Sequence, residues 1–228
     1  MKKYKALLID LDDTILDFKQ SEKYAICKLL EYFGISQSEE NIEAYHNINL
    51  SYWKKLELGL VKREELILLR FIEFFKLFNK EISLEEAKKV NDLYFNYLSS
   101  KAFVIPDAKE VLVSLRKRYK IYLITNGVKR VQDKRLSLIP DIKECFEGIF
   151  ISEEIGYTKP DKEFVNHVLK IISLEKNECL IIGDSLSSDI KLGLNSGIDT
   201  CWYNPNGKMS DYNITYKITN IKELLKIL

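Results

Sequence analysis

Apolar residues fall into two rhythms along this 228-residue chain. Short unbroken apolar runs occur at 6–9, 121–124, 149–151, 180–182 and 200–203. Runs without polar alternation suit strands buried on both faces, as in a parallel sheet covered by helices. Longer amphipathic stretches separate them, which is the cadence of βαβ units. One crossover helix is expected over residues 107–118, with Asp107 as a possible cap and Glu110 three residues on. A last short helix is expected over 220–228.

Residues 15–103 follow a helical rhythm instead. Tyr24, Cys27, Leu30 and Phe33 make one stripe, and the aromatic-rich run 64–78 makes another. Ser36 with Glu39, and Ser83 with Glu86, have the spacing at which a hydroxyl and a carboxylate cap each other's backbone donors. Between Thr14 and Ile105 there are two glycines, Gly34 and Gly59, and no proline, whereas all four prolines and the other seven glycines lie beyond. The contrast predicts an α/β core of residues 1–14 and 104–228, doubly wound around a mainly parallel sheet, with a helical insertion at 15–103.

Composition narrows the function by exclusion. With 35 Lys and Arg against 34 Asp and Glu, no global field draws in a nucleic acid polymer or an anionic membrane. The start Met1-Lys2-Lys3-Tyr4-Lys5 is basic, but Asp10 cuts the following apolar run too short for a signal core. No segment approaches the roughly 18 apolar residues of a membrane span. The chain reads as soluble and cytoplasmic. Cys27, Cys145, Cys179 and Cys201 are scattered, which suits buried free thiols better than zinc ligation. His46 and His167 are the only histidines, so carboxylates and lysine must carry most proton and charge work.

Ligands of an open parallel sheet bind beyond the carboxyl ends of its strands. The residues there are Asp10-Leu11-Asp12-Asp13-Thr14 after the first run, Thr125-Asn126-Gly127 after the second, and Gly183-Asp184 after the fourth, followed by Asp189. Asp10 and Asp12, on alternate residues, can face one reacting group. One carboxylate can attack while the other gives a proton to a departing alkoxide and later takes one from water. Taken alone, such acids equally solvate a loop or favour a helix N-terminus. Oxygen ligands from Asp10, Asp184 and Asp189 suit Mg²⁺, although Asp189 is also placed to cap the helix running towards Gly197. Thr125, Asn126 and Gly127 suit phosphate oxygens, with a simple turn as the competing explanation. Lys159, before Pro160, can neutralise the nucleophile and the phosphoryl group or stand as a solvated surface residue.

In this order, D-L-D-D-T, T-N-G, K-P and G-D-S-L-S-S-D, the motifs resemble those of the haloacid dehalogenase superfamily, spanning residues 10–189. The resemblance implies Asp10 as nucleophile, Asp12 as general acid and base, Thr125 as phosphate ligand and Lys159 as the neutralising cation. It also implies Mg²⁺ held by Asp10, by Asp184 as the main downstream carboxylate and by the backbone carbonyl of Asp12, with Asp189 assisting through the metal's waters or Lys159, and a cap at residues 15–103. Asp13 departs from the glycine of many relatives. A finer resemblance to pyrimidine 5′-nucleotidases rests on residues 47–53, 152–156 and 200–204. It implies a nucleoside monophosphate as substrate, with Phe18 or Trp53 against the base. A phosphoglycolate or sugar phosphatase is the alternative. A haloacid dehalogenase has no use for Asp12 and Asp184, and a receiver-like signalling module lacks so large an insertion.

Overall fold

A computed structural model describes residues 4–228. Met1, Lys2 and Lys3 of the basic start lie outside the described residues. The elements run β1 (Ala6–Ile9), α1 (Phe18–Tyr32), α2 (Glu39–Glu57), α3 (Arg63–Lys76), α4 (Leu84–Leu98), α5 (Ala108–Leu115), β2 (Lys120–Thr125) and α6 (Lys129–Ser137). They continue α7 (Pro140–Lys143), β3 (Gly148–Ile151), α8 (Ser152–Ile155), α9 (Lys162–Ile172), β4 (Cys179–Gly183), α10 (Lys191–Ser196), β5 (Asp199–Tyr203), β6 (Tyr216–Ile218) and α11 (Leu224–Ile227). Two compact units result: one runs up to Phe18 and resumes over Ala102–Leu228, and the other is Lys19–Lys101.

The first unit is a parallel sheet in the order β3-β2-β1-β4-β5-β6, with β1 at its centre. Alternate residues of the central strands enter different cores. Leu7, Ile9, Leu123 and Ile182 pack with Val111, Leu112 and Leu115 of α5 on one face. Leu8, Ile124 and Ile181 pack with Phe164, Val165 and Val168 of α9 and Leu192 of α10 on the other. Helices on both faces make the sheet doubly wound, and this explains why its strands read as unbroken apolar runs.

The five apolar runs are all strands. The sixth strand, β6, was not visible as a run because it has three residues and exposes Lys217 at its centre. Asp107 does not cap α5 with its side chain: its backbone is left-handed (φ 66°) and its carboxylate takes Lys222 at 2.7 Å. The expected final helix is a 3₁₀ turn at Ile221–Glu223 followed by α11.

The second unit contains α2, α3, α4 and nearly all of α1. Ser83 and Glu86 form the expected capping box at α4. At α2 the cap is Ser38 rather than Ser36; its hydroxyl accepts from Asn41 N at 3.2 Å, while Glu39 pairs with Lys23. The buried face of α1 is also rotated from the expected stripe, to Ser21, Glu22, Ala25, Ile26, Leu29 and Leu30. Glu22 accounts for the rotation, since this buried acid accepts from Asn49 at 2.6 Å and pairs with His46 at 2.5 Å. Tyr45, Phe71, Phe74 and Tyr94 form an aromatic centre, with ring centroids 5.3–5.5 Å apart for Tyr45 with each of the other three.

Candidate active site

The main chain of β1 continues past Ile9, with Asp10 N donating to Ile182 O at 2.9 Å, so Asp10 leaves the sheet at its centre. The next turn is tightly closed. Ile15 N and Leu16 N both donate to Leu11 O, and Asp13 N donates to Leu16 O at 2.7 Å. Asp13 is left-handed (φ 59°), a conformation in which glycine is usual and aspartate is tolerated. Its carboxylate accepts from Phe18 N at 2.9 Å, satisfying an orphan donor at the start of α1. A side chain thus gains a use where a glycine would only turn the chain.

Lys159 is buried, and its Nζ donates to Asp10 Oδ1 at 2.6 Å, Asp189 Oδ1 at 2.6 Å and Ile124 O at 3.0 Å. Burial alone would lower its pKa, but the Asp10 and Asp189 charges outweigh burial and raise it. Asp10 is pushed up to about 8, chiefly by burial; Lys159 opposes the shift, and the charges of Asp189 and Asp12 add to it.

Asp189 lies in a single π-helical turn, Leu186–Ile190, rather than capping the helix towards Gly197. Ser185 caps that turn, its hydroxyl accepting from Ser188 N at 3.2 Å, and α10 follows with no side-chain cap of its own. Such π turns re-aim side chains at functional sites. Here the turn lets Asp189 Oδ2 accept from Ser185 N at 3.1 Å while Oδ1 holds Lys159. Gly183 makes the space, because a Cβ there would stand 2.2 Å from Asp189 Oδ2. Asp184 follows directly, and Trp202 anchors its backbone by donating Nε1–H to its carbonyl at 2.8 Å.

Carboxylate oxygens of Asp10, Asp184 and Asp189 lie within 4.8 Å of one another. One lysine cannot balance three acids. The carboxyl of Asp184 is accordingly held well above its ordinary pKa, first by burial and then by the charges of Asp189, Asp10 and Asp13. All-oxygen donors, a deficit of positive charge and a close approach fit a hard divalent cation.

Thr125 ends β2 with its hydroxyl accepting from Gly127 N at 3.1 Å. Asn126 does not present its amide to an empty space. It accepts from Lys159 N and donates to Lys159 O, both at 2.9 Å, so both polar ends of the amide hold the lysine's main chain. Gly127 is needed for a neighbour: a Cβ there would stand 2.0 Å from Gln132 Nε2. Phe18 lies with its ring centroid 5.8 Å from the Arg135 guanidinium. Trp53 is a half-buried residue of α2, in the helical unit.

Two residues around Asp12 escaped the sequence reading. Gln132 Nε2 donates to Asp12 Oδ2 at 2.7 Å and to Thr125 Oγ1 at 3.2 Å. Arg135 donates to Asp12 Oδ1 at 2.5 Å and to Gln132 Oε1 at 3.0 Å. A signal existed, since Gln132 and Arg135 are three apart on one face of a helix that follows T-N-G. It was masked by Lys129, Arg130 and Lys134, which make the segment look like a solvated basic helix.

This fold and site define a hydrolase of the haloacid dehalogenase-like class: the model of that family matches residues 4–197, and the chain belongs to it. Over its full length the chain is 37% identical to the HAD-hydrolase YfnB of Bacillus subtilis, covering 97% of that protein. It is 35% identical to the pyrimidine 5′-nucleotidase PynA of Streptococcus pneumoniae, over 99% of this chain and 95% of that one. The pyrimidine 5′-nucleotidase YjjG of Escherichia coli is 26% identical over 99% of this chain and 98% of its own. The magnesium-bound crystal structure of YfnB matches with a TM-score of 0.91 at 35% identity, covering 99% of each chain. Among the described residues, no helix is long and apolar enough to cross a membrane.

Proposed function

We propose that the chain is a Mg²⁺-dependent phosphomonoester hydrolase of the cytoplasm, a 5′-nucleotidase acting on pyrimidine or non-standard nucleoside monophosphates. The observation that carries the chemistry is the Lys159 ammonium shared between Asp10 and Asp189, with Asp184 alongside. The nucleotidase reading is supported by PynA and YjjG, both pyrimidine 5′-nucleotidases that match nearly the whole chain.

Asp10, Asp184 and Asp189 would hold the Mg²⁺ together with the main-chain carbonyl of Asp12. When bound, the ion offsets the charge of the carboxylates and the phosphoryl group. An oxygen of Asp10 attacks phosphorus in line, the ester P–O bond breaks, and Asp12 gives its proton to the departing alkoxide. Asp12 then takes a proton from water, whose oxygen attacks the aspartyl phosphate and releases inorganic phosphate. Thr125 binds a non-bridging oxygen, and the Lys159 ammonium favours the charged form of the buried nucleophile, opposing the burial that raises its pKa. The helical insertion acts as a cap that selects the leaving group, with Phe18 and Trp53 as the aromatic candidates for base contact.

The test is phosphate release by purified protein with Mg²⁺ across pyrimidine and purine monophosphates and small sugar phosphates, beside an Asp10→Asn variant. Pyrimidine monophosphates should turn over fastest, and the variant should be inactive but folded. Faster turnover of several sugar phosphates would overturn the nucleotidase reading. Substantial activity in the variant would overturn the nucleophile, and haloacid turnover surviving EDTA would overturn the phosphatase chemistry.

A further inference from the structure

We propose that Gln132 and Arg135 are positioning residues that fix the direction of the Asp12 carboxylate, so that its proton is delivered to the leaving oxygen. The proposal rests on the phosphatase reading of Asp12 given above.

A carboxylate on a turn rotates about two side-chain bonds, and proton transfer in a transition state depends on where its oxygens stand. Asp12 is only half-buried, so packing alone does not hold it. Each of its oxygens is instead taken by a different donor, Oδ1 by Arg135 and Oδ2 by Gln132. The two donors are themselves joined, Arg135 Nη1 to Gln132 Oε1 at 3.0 Å, which closes a ring of three hydrogen bonds. Each carboxylate oxygen still has a lone pair outside the ring.

Three further features serve the same arrangement. Gly127 leaves the volume that the Gln132 amide occupies. The second hydrogen of that amide ties Asp12 to Thr125, so the residue read as phosphate ligand and the residue read as proton donor share one partner. The helix carrying both donors, α6, is anchored at its start, where Glu153 accepts from Lys129 N at 2.6 Å and Glu154 pairs with Lys129 Nζ at 3.0 Å. Both glutamates belong to the Ser152–Ile155 turn. One of the three segments that carried the finer family resemblance therefore holds the start of α6.

A salt bridge of purely structural use would affect every substrate alike. Positioning of a proton donor would not, because p-nitrophenolate departs without protonation whereas a nucleoside 5′-alkoxide needs it. The readout is kcat/KM, which covers steps only up to transfer of phosphorus to Asp10. The enzyme, Asp10→Asn, Asp12→Asn, Gln132→Met, Arg135→Met and Arg135→Lys are compared on uridine 5′-monophosphate and p-nitrophenyl phosphate with Mg²⁺. Gln132→Met and Arg135→Met are expected to lose roughly 10- to 100-fold on the nucleotide and less than about 3-fold on the aryl ester, in the same direction as Asp12→Asn. Should Arg135→Met fail to fold, Arg135→Lys keeps the buried charge without the planar fork and is expected to show the same selective loss. Equal losses on both substrates, or no loss on either, overturn the proposal. An unmodified enzyme inactive on both esters, or an active Asp10→Asn, overturns instead the phosphatase reading on which it rests.

Discussion

The ammonium of Lys159 stands 2.6 Å from the carboxylate of Asp10, the residue leaving the central strand, and a second carboxylate, Asp189, lies at the same distance. All three groups are buried. Removing the cation by Lys159→Met leaves two buried acids facing each other, a change expected to destabilise the metal-free protein by about 3–5 kcal/mol. Under the proposed mechanism phosphatase activity should fall more than about 100-fold, since Lys159 would face the phosphoryl group. Urea unfolding in EDTA, paired with a phosphate-release assay, checks both. A stability within about 1 kcal/mol of the parent would mean that the acids find other compensation.

Asp184 is expected to behave in the opposite sense. Its ionised form is disfavoured by burial and by three neighbouring carboxylates. Asp184→Asn removes the repulsion at constant shape, so in EDTA near pH 7 the variant should be more stable than the parent. Added Mg²⁺ should raise the Tm of the parent and leave that of the variant nearly unchanged, because only the parent keeps the full proposed ligand set. A variant that melts lower in EDTA would show that Asp184 serves the fold and is not waiting for a cation.

Asn126 supplies a test of how Lys159 is held. Its amide pairs with both main-chain polar groups of the lysine, so Asn126→Ala should loosen the ammonium without removing it. Activity is expected to fall roughly 10-fold with KM changed by less than about 3-fold, the pattern of a lost transition-state interaction. A selective rise in KM would mean that Asn126 binds substrate directly.

How much of this was legible in the chain differs by element. The central strands were, because a sheet covered on both faces imposes unbroken apolar runs. The acids and Lys159 became legible through their order along the chain, each being ambiguous alone. What stayed hidden was set by tertiary partners. Ser36 and Ser38 offer α2 equivalent hydroxyls, and only the path of the chain selects Ser38. Glu22 sits on the buried face of α1 because Asn49 and His46 meet it there, which turns the helix away from its most apolar stripe. Arg135 is fully buried within a segment whose lysines face solvent, and nothing local separates it from them.

That buried polar chain in the helical unit carries its own prediction. Arg70 donates to Asn49 at 2.7 Å and to Asn91 at 2.9 Å, with its guanidinium 4.8 Å from the Phe71 ring centroid and 4.9 Å from that of Tyr94. Asn49 passes the contact on to Glu22. Arg70→Met should cost about 3–5 kcal/mol by leaving two amides and an acid without their cation. Glu22→Gln combined with Arg70→Met should cost less than the sum of the two single changes, because the charges are removed together. Additivity within about 0.5 kcal/mol, measured by chemical denaturation, would show that the two ends of the chain are independent.

The buried thiols predict a pH dependence of stability. Cys179 and Cys201 lie on β4 and β5 with no exposed surface, and burial pushes both up to about 12 from an ordinary 9.0. Between these values the unfolded chain has released protons that the folded chain still holds, so stability must fall as pH rises. Each thiol contributes a loss approaching about 1.4 kcal/mol per pH unit across that window, and none below about pH 8. Tyrosines ionise in the same range, so the quantity to measure is the difference in slope between the parent and a Cys179→Ala, Cys201→Ala double variant, from urea unfolding at pH 8.5 to 10.5. The variant is less stable at pH 8.5, having lost buried volume, and the gap should narrow as pH rises. Thiol titration gives an independent check: at pH 8, Cys27, the one cysteine that is not fully buried, should react first with a disulfide reagent, and the other three only on unfolding. Parallel pH profiles for the two proteins would mean that the strand thiols ionise as readily in the sheet as in the open chain.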